Sequence, residues 1–204
     1  MSPRAYSEYF MKRKVDVVIS LLGLLILSPV FLVIALLIII DSKGPVFYRQ
    51  QRIGKGEQPF HIYKFRTMYL NSDTKALITI GSHDNRITQV GYYLRKYKID
   101  EFPQLINVFK GDMSLVGPRP EVQKYTRLYT NDQLDVLSVR PGITDPASIL
   151  LKDENDLLAR SQDPEKFYIE KLLPHKLAIN LRYIQQITLK NDLKIIFKTL
   201  RVIF

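Results

Sequence analysis

The longest hydrophobic run of the chain covers residues 17–40, which are 24 residues without a charged side chain. About 20 apolar residues are enough for a helix to cross a bilayer. Pro29 follows Ser28 in the middle of the run and removes one helical hydrogen bond, so we expect a break or kink there. The Ser28 hydroxyl is expected to bond a carbonyl of the preceding turn. Each half is about 18 Å long, sufficient to enter the bilayer and return.

Basic residues flank this run on both sides, and they bear on its topology. They are Arg4, Lys12, Arg13 and Lys14 before it, and Lys43, Arg49, Arg52 and Lys55 after it. The positive-inside bias places both ends on the cytoplasmic face, which a single crossing cannot satisfy. The pattern therefore favours a re-entrant hairpin. A kinked crossing helix and a buried soluble helix are the alternatives.

The chain becomes polar after residue 42, and its alternation changes to that of strands. Residues 46–51 and 60–65 are rich in aromatic and β-branched side chains, and Gly54, Gly56 and Pro59 lie between them. This pattern predicts a β-hairpin. Residues 70–86 carry turn formers without a period, which is typical of a mobile surface segment.

A helical period begins near Asp100 and Glu101. The apolar residues at spacings i, i+3, i+4 and i+7 are Phe102, Leu105, Ile106 and Phe109. Pro103 is compatible with a first turn, and Gly111 marks the end. Helix N-termini favour negative charge, so both acids can stay ionised. Taken alone, they could be a capping pair without further function.

The last 16 residues, LKNDLKIIFKTLRVIF, predict an amphipathic helix. One side carries Leu193, Ile196, Phe197 and Leu200, and the other carries Lys190, Lys194, Lys198 and Arg201. Such a helix can lie in a membrane interface. It can equally pack its apolar side on the domain.

Composition narrows the classes of partner. The 204 residues carry a formal charge of +10, which suits nucleic acid, a phosphate-bearing substrate or anionic lipid. The charge is divided between membrane flanks and loops, and no nucleic-acid-binding motif occurs, so we expect no nucleic acid partner. The absence of cysteine excludes disulfides and Cys nucleophiles. His61, His83 and His175 lack ligand-like spacing, which makes a zinc site improbable.

Four cations lie in settings that suit phosphate binding. Lys64 ends the second predicted strand, Arg95 precedes Asp100 by five residues, and Arg119 and Arg140 lie beside prolines in GPRP and VRPGIT. Arginine binds phosphate oxygens in pairs, and proline limits the entropy lost when the side chain is fixed. Each alone could be an ordinary surface cation, whereas together they predict a phosphate site.

These stretches together resemble the bacterial sugar transferases, which are small monotopic phosphoglycosyl transferases that act on polyprenol phosphate. The resemblance rests on the apolar hairpin with LSP, GPVFYRQQRIG, IYKFRTM, IDEFPQLINVFKGDMSLVGPRP and VRPGIT. It covers essentially the whole chain, and the block at residues 99–120 is long and specific.

The resemblance implies a reaction and the residues that perform it. A UDP-sugar would give its sugar 1-phosphate to polyprenol phosphate, with release of UMP, at the cytoplasmic face of the bacterial inner membrane. Asp100 would be the covalent nucleophile and a ligand of Mg²⁺. Glu101 would position the metal or the polyprenol phosphate. Ser28 and Pro29 would break the re-entrant membrane helix, and two successive displacements predict ping-pong kinetics.

The implied fold is helix-rich mixed α/β. Residues 1–42 would form a basic segment and membrane hairpin, and residues 43–204 a cytosolic catalytic domain with a small sheet and interfacial helices on anionic lipid. Longer relatives carry extra N-terminal membrane helices, so this chain is expected to correspond to the minimal catalytic form. A homodimer is left open.

One departure and one alternative accompany the resemblance. After VRPGIT, many relatives have a tryptophan-containing segment, whereas this chain has DPASILLKDEN and no tryptophan. Asp145, Pro146 and Ser148 stand there, which leaves recognition of the sugar and base unassigned. The alternative is a basic membrane-surface or scaffold protein without catalysis.

Overall fold

A computed structural model describes residues 3–70 and 84–203, and this part of the chain has a helix-rich mixed α/β fold, as predicted. Its α-helices are α1 Pro3–Asp41, α2 Gln89–Lys96, α3 Gln104–Lys110, α4 Gln123–Thr126, α5 Asn131–Leu134, α6 Pro146–Leu150, α7 Glu154–Ala159, α8 Pro164–Phe167, α9 Leu173–Gln185 and α10 Leu189–Ile203. Its strands are β1 Phe47–Ile53, β2 Pro59–Phe65, β3 Ser114–Val116 and β4 Gly142–Thr144. Short 3₁₀ turns cover Lys55–Glu57, Ile99–Glu101 and Asp135–Ser138, and a π turn covers Tyr168–Leu172.

The apolar run lies inside α1, which continues through Pro29 without an interruption. Proline at this position leaves the carbonyl of Leu25 without its usual amide donor. The Ser28 hydroxyl donates to that carbonyl at 2.8 Å, which confirms the predicted side-chain bond. The segment Glu8–Asp41 is long and apolar enough to cross a membrane, and 11% of its most apolar window is buried. The return of this segment to the same membrane face stays a prediction.

The predicted β-hairpin is confirmed. Strands β1 and β2 pair antiparallel, and Phe47 lies opposite Phe65. Between them the backbone of Gly56 adopts φ 62°, a left-handed conformation that glycine accepts at low cost. The pairing places Lys64 near the end of β2, one residue before the fully buried Phe65.

The hairpin also packs on α1. Phe65 lies in a buried cluster with Ile34 and Ile38 of α1 and Leu94 of α2. Burial of each such side chain contributes about 1.5–3 kcal/mol. A separate core surrounds α9 and consists of Ile53, Tyr125, Val136, Leu137, Leu158, Tyr168, Leu172, Leu173 and Leu177. The C-terminal half of α1 is thus fixed to the elements that carry Lys64 and Arg95.

A second, two-stranded sheet joins the two proline loops. Strands β3 and β4 are parallel, with Ser114 opposite Gly142. A Cβ atom on Gly142 would lie 2.1 Å from the backbone nitrogen of Gly117, so the close approach of the two loops requires glycine. This contact holds the GPRP loop after β3 against the VRPGIT segment, whose last three residues form β4.

The predicted C-terminal helix is confirmed as α10, and it docks through polar side chains. Asp192 is buried, forms an ion pair with Lys12 of α1 and accepts a hydrogen bond from Tyr183. Thr199 shares a hydrogen bond of 2.7 Å with Thr144. Of the predicted apolar side, Leu193, Phe197 and Leu200 stay exposed, whereas Ile196 is half-buried. Most of the apolar side therefore does not pack on the described part of the domain.

Most of the predicted surface segment at residues 70–86 lies outside the described residues, as does His83. The segment's two ends are joined by a bridge between Met68 and Ile87. Beyond it, Gly91 of α2 packs so closely on Thr67 that a Cβ atom would lie 2.1 Å from the Thr67 carbonyl oxygen. This packing fixes α2, and with it Arg95, beside the end of β2.

Candidate active site

Asp100 and Glu101 lie in the 3₁₀ turn Ile99–Glu101, and α3 begins at Gln104. The prediction that the α-helix starts at Asp100 is therefore wrong by four residues. Lys98 enters the turn with a left-handed backbone (φ 55°), which cannot continue the preceding helix. Pro103 precedes the first residue of α3 with φ −60°, and Gly111 ends the helix at φ 100°, where the sequence placed its end.

The side of α3 that faces the interior carries two polar side chains and one apolar side chain. Gln104, Asn107 and Val108 are its buried side chains, whereas Phe109 of the predicted apolar face is 44% exposed. Asn107 is fully buried: its side-chain amide donates to the carbonyl of His61 at 2.7 Å and accepts from the Tyr63 amide at 3.0 Å. These bonds fix α3 to β2 beside Lys64. Sequence reasoning missed Asn107, whose only signal is an amide inside the apolar stretch LINVF.

Glu101 is held by two cations. The Lys64 ammonium lies 2.7 Å from its Oε1, and Arg119 binds both carboxylate oxygens, with Nη1 at 3.2 Å from Oε2. Burial alone raises the pKa of Glu101, but Arg119 and Lys64 outweigh it and hold the pKa well below the usual range. The adjacent Glu101 carboxylate also raises the pKa of Arg119. The ionised form of Glu101 is thus favoured, and both of its carboxylate oxygens accept hydrogen bonds.

Asp100 has a different environment, although its backbone is adjacent and its side chain is as deeply buried. Its nearest cation is Lys64, with Nζ 3.9 Å from Oδ2, too far for a hydrogen bond. In the described part of the chain no donor hydrogen-bonds its carboxylate. Burial raises the pKa of Asp100, Lys64 opposes that shift, and the charge of Glu101 adds to it. Asp100 therefore has free lone pairs and few partners that stabilise its charge.

The structure brings three of the four predicted cations to this pair of acids. Lys64 and Arg119 contact Glu101, and the charge of Arg95 acts on Asp100. Arg140 lies at the opposite end of α3, where it donates to the carbonyl of Gly111 at 2.7 Å and to the Tyr9 hydroxyl at 3.0 Å. The carbonyls at a helix C-terminus attract cations. A role for Arg140 in phosphate binding stays a prediction.

The loop that carries Arg119 is anchored from behind by Glu121, which sequence reasoning did not single out. Glu121 is buried, and its carboxylate lies 3.6 Å from Arg52 and 3.7 Å from Lys176. The Tyr168 hydroxyl also donates to it. This network ties the loop to β1 and to the core around α9, so the Arg119 guanidinium projects from a fixed backbone.

The donor set fits Mg²⁺ only in part. Among the described residues, no group of three or more His, Cys, Asp or Glu side chains is close enough to hold a metal ion. Asp100 offers an oxygen ligand without a hydrogen bond, whereas Glu101 is already occupied. Mg²⁺ commonly binds through one or two carboxylates and completes its shell with substrate phosphates and water. The site therefore fits a metal that arrives with a phosphate substrate.

Asp145, Pro146 and Ser148, which depart from the family pattern, form the N-terminus of α6. Asp145 is fully buried and accepts hydrogen bonds from the amides of Ala147 and Ser148, at 2.9 and 3.1 Å. Pro146 follows as the first residue of α6. These bonds form an N-terminal cap of α6 directly after β4. The residues of the DPAS stretch therefore have a structural role as a helix cap. These bonds do not indicate which residues contact the sugar or the base.

Known proteins share this arrangement of motifs. A family model described as "Bacterial sugar transferase" matches residues 7–204. A UDP-N-acetylgalactosamine-undecaprenyl-phosphate N-acetylgalactosaminephosphotransferase of Aeromonas hydrophila is 37% identical over 95% of this chain and 44% of its own length. UDP-glucose:undecaprenyl-phosphate glucose-1-phosphate transferases of Caulobacter vibrioides and Escherichia coli are 37% and 36% identical, over 92% and 97% of this chain. The chain spans 67% of the former and 41% of the latter.

Proposed function

Because the chain belongs to the bacterial sugar transferase family, we propose that it transfers a sugar 1-phosphate from a UDP-sugar to polyprenol phosphate and releases UMP. The similar proteins are named undecaprenyl-phosphate sugar phosphotransferases. Their names differ in the sugar and agree in the acceptor, undecaprenyl phosphate. The observation that carries the proposal is the contrast between two adjacent carboxylates, one fixed by cations and one free.

In the first step, an Asp100 oxygen attacks the phosphorus that bears the sugar. Burial raises the pKa of Asp100 and Lys64 opposes that shift; the attacking form is the ionised carboxylate, which needs no general base. The new bond joins Asp100 to the phosphorus that bears the sugar, and the bond from that phosphorus to the oxygen bridging it to the nucleotide phosphate breaks. UMP leaves with that oxygen and its electron pair. Glu101 cannot take this role, because Lys64 and Arg119 occupy its oxygens.

In the second step, a phosphate oxygen of polyprenol phosphate attacks the same phosphorus. The bond to Asp100 breaks, the carboxylate is restored, and a polyprenyl diphosphate sugar is the product. Arg95 and Arg119 would hold phosphate oxygens; the charge of Arg95 on Asp100 and the contact of Arg119 with Glu101 support this assignment. Bound Mg²⁺, with Asp100 as a ligand, would reduce the repulsion between the carboxylate and the diphosphate.

The contacts of α1 support a re-entrant path at the cytoplasmic face of the inner membrane. Before the apolar run, Arg13 donates to the carbonyl of Val108 at 2.6 Å. After the run, Arg66 donates to the carbonyl of Ser42 at 2.6 Å. A straight crossing would separate these ends by about 30 Å of hydrocarbon, yet both contact the same domain. The exposed side chains of α1 include Leu25, Ile26 and Ile40, which suit contact with lipid.

The proposal is tested by offering the purified protein a panel of UDP-sugars with Mg²⁺ and undecaprenyl phosphate while UMP release is measured. We expect release with at least one donor and its loss in Asp100→Asn. No release with any donor would contradict the proposed reaction and favour a membrane-surface protein without catalysis. For topology, cysteines introduced at Ser7 and Lys43 should react with an impermeant label from the same side, and labelling from opposite sides would contradict the dip.

A further inference from the structure

Lys98 has a backbone conformation that its residue type does not explain. It caps the 3₁₀ turn that carries Asp100 and Glu101, with φ 55° and ψ 20°, and its side chain makes no capping hydrogen bond. In the described part of the chain it is one of two non-glycine residues with positive φ. Glycine or asparagine adopts this left-handed conformation at lower cost. Strained backbones of this kind occur frequently at functional sites.

Lys98 is exposed to solvent, although the atoms packed around its side chain desolvate the ammonium and lower its pKa. The carboxylates of Glu101 and Asp100 oppose that shift, so the charge of Lys98 acts on the dyad. Within residues 3–70 and 84–203 its ammonium forms no ion pair and donates no hydrogen bond. Arg95, whose charge acts on Asp100, likewise has no bonded partner there. These two cations differ from Lys64 and Arg119, which are engaged with Glu101.

The charge balance at the dyad leaves room for an anion. Lys64 and Arg119 pair with Glu101, whereas Arg95 and Lys98, whose charges act on Asp100, pair with no carboxylate in the described part of the chain. These two cations are therefore available to an anion at the dyad. A sugar nucleotide diphosphate carries one negative charge on each of two adjacent phosphates, whereas UMP and a polyprenyl phosphate concentrate their charge on a single phosphate. Two separate cations therefore match the two phosphates of the donor.

We infer that Lys98 is a donor-binding residue, whose ammonium contacts the diphosphate of the sugar nucleotide beside Asp100. This inference rests on the proposed function, because that function supplies the diphosphate. A lysine ammonium is a compact charge on a flexible stem, so it suits a phosphate that must later leave as UMP. The left-handed backbone of Lys98 begins the turn that carries Asp100, the attacking carboxylate.

The experiment uses the full chain in lipid nanodiscs and compares Lys98→Gly, Lys98→Arg and the control Lys96→Gln. Lys96 is an exposed lysine at the end of α2, and it lies over the ring of Tyr97. UDP, which contains the diphosphate without a sugar, is titrated by calorimetry, and UMP is the single-phosphate probe. KM values for the donor and for undecaprenyl phosphate, kcat and Tm are measured alongside.

We expect Lys98→Gly to weaken UDP binding and raise the donor KM about tenfold, the low end for a hydrogen bond between charged groups. UMP affinity, kcat and the acceptor KM should change less than threefold. Tm should stay or rise, because glycine relieves the left-handed strain. Lys98→Arg should retain affinity within threefold, and Lys96→Gln should match the unaltered protein.

If UDP affinity falls in Lys98→Gly while Tm stays or rises, the residue has a binding role rather than a structural one. A fall in Tm together with affinity, without rescue by Lys98→Arg, would overturn the inference. Unchanged UDP affinity in Lys98→Gly would also overturn it, and if Asp100→Asn still abolished transfer, the proposed reaction would stand. An effect confined to the acceptor KM would reject the diphosphate as the ligand. If the unaltered protein transferred no sugar phosphate at all, the proposed function itself would fail.

Discussion

Replacing Glu101 by glutamine separates the anchoring acid from the attacking one. The variant keeps the size of the side chain and the free carboxylate of Asp100, and it removes the negative charge that holds Lys64 and Arg119. In the native site Lys64 lies 2.7 Å from Glu101 and 3.9 Å from Asp100. Without the charge of Glu101, Lys64 is expected to move to Asp100, because that is the nearest remaining carboxylate.

The size of the effect follows from these distances. At an effective dielectric constant of about 20, a move of the ammonium from 3.9 Å to about 2.8 Å of the Asp100 oxygen stabilises that carboxylate by about 1.7 kcal/mol. This energy favours the ground state over the attack, so it corresponds to a loss of about 18-fold in rate. Arg119 also loses its bidentate partner, and we expect a total fall in kcat of about 18- to 100-fold.

The assay is initial-rate UMP release at saturating donor and acceptor, with Glu154→Gln as the matched control. Glu154 pairs with Lys176 at 3.2 Å away from the dyad, so its variant loses a similar ion pair without touching Asp100. The control should keep kcat within twofold. Turnover of Glu101→Gln within threefold of the native rate would refute the view that Glu101 holds Lys64 away from Asp100.

Three further outcomes follow from the structure. Asn107→Leu removes the bonds to β2 and leaves two backbone groups without partners, so we expect the free energy of unfolding to fall by about 2–4 kcal/mol; an unchanged denaturation midpoint would count against this role. Lys12→Met leaves Asp192 buried without its cation and should destabilise the protein by about 3 kcal/mol, and adding Asp192→Leu should recover part of that loss; equal and additive losses in a double-mutant cycle would mean that the pair is not coupled. EDTA should abolish UMP release, and Mg²⁺ should restore it, while Tm without substrate stays unchanged because the metal needs substrate phosphates; a large fall in Tm would indicate a resident metal.

The features that the sequence predicted correctly depend on local patterns. Uncharged length marks the apolar helix, alternation between glycine-rich turns marks the β-hairpin, and Gly111 ends α3 because only glycine readily adopts its conformation. The Ser28 bond to the preceding turn is equally local, since Pro29 itself creates the orphaned carbonyl. Such signals lie within a few residues of each other, so one stretch of sequence is sufficient to read them.

The features that it missed depend on packing between distant segments. A 3₁₀ turn and the first turn of an α-helix look alike in sequence, which is why the start of α3 was placed too early. Asn107 acquires its role only when β2 lies beside α3, and Lys12 meets Asp192 across 180 residues. The contact of Arg140 with the Gly111 carbonyl at the C-terminus of α3 is likewise not visible in its own proline-rich segment, and its role in phosphate binding stays a prediction.

The most direct test of the account is the mass of the protein after it is mixed with its UDP-sugar in the absence of polyprenol phosphate and quenched in acid. We expect an adduct of one sugar phosphate, and peptide fragmentation should locate it on Asp100. Added undecaprenyl phosphate should remove it at the rate of turnover. Native turnover without any adduct, or an adduct on Glu101, would contradict the assignment of Asp100 as the nucleophile.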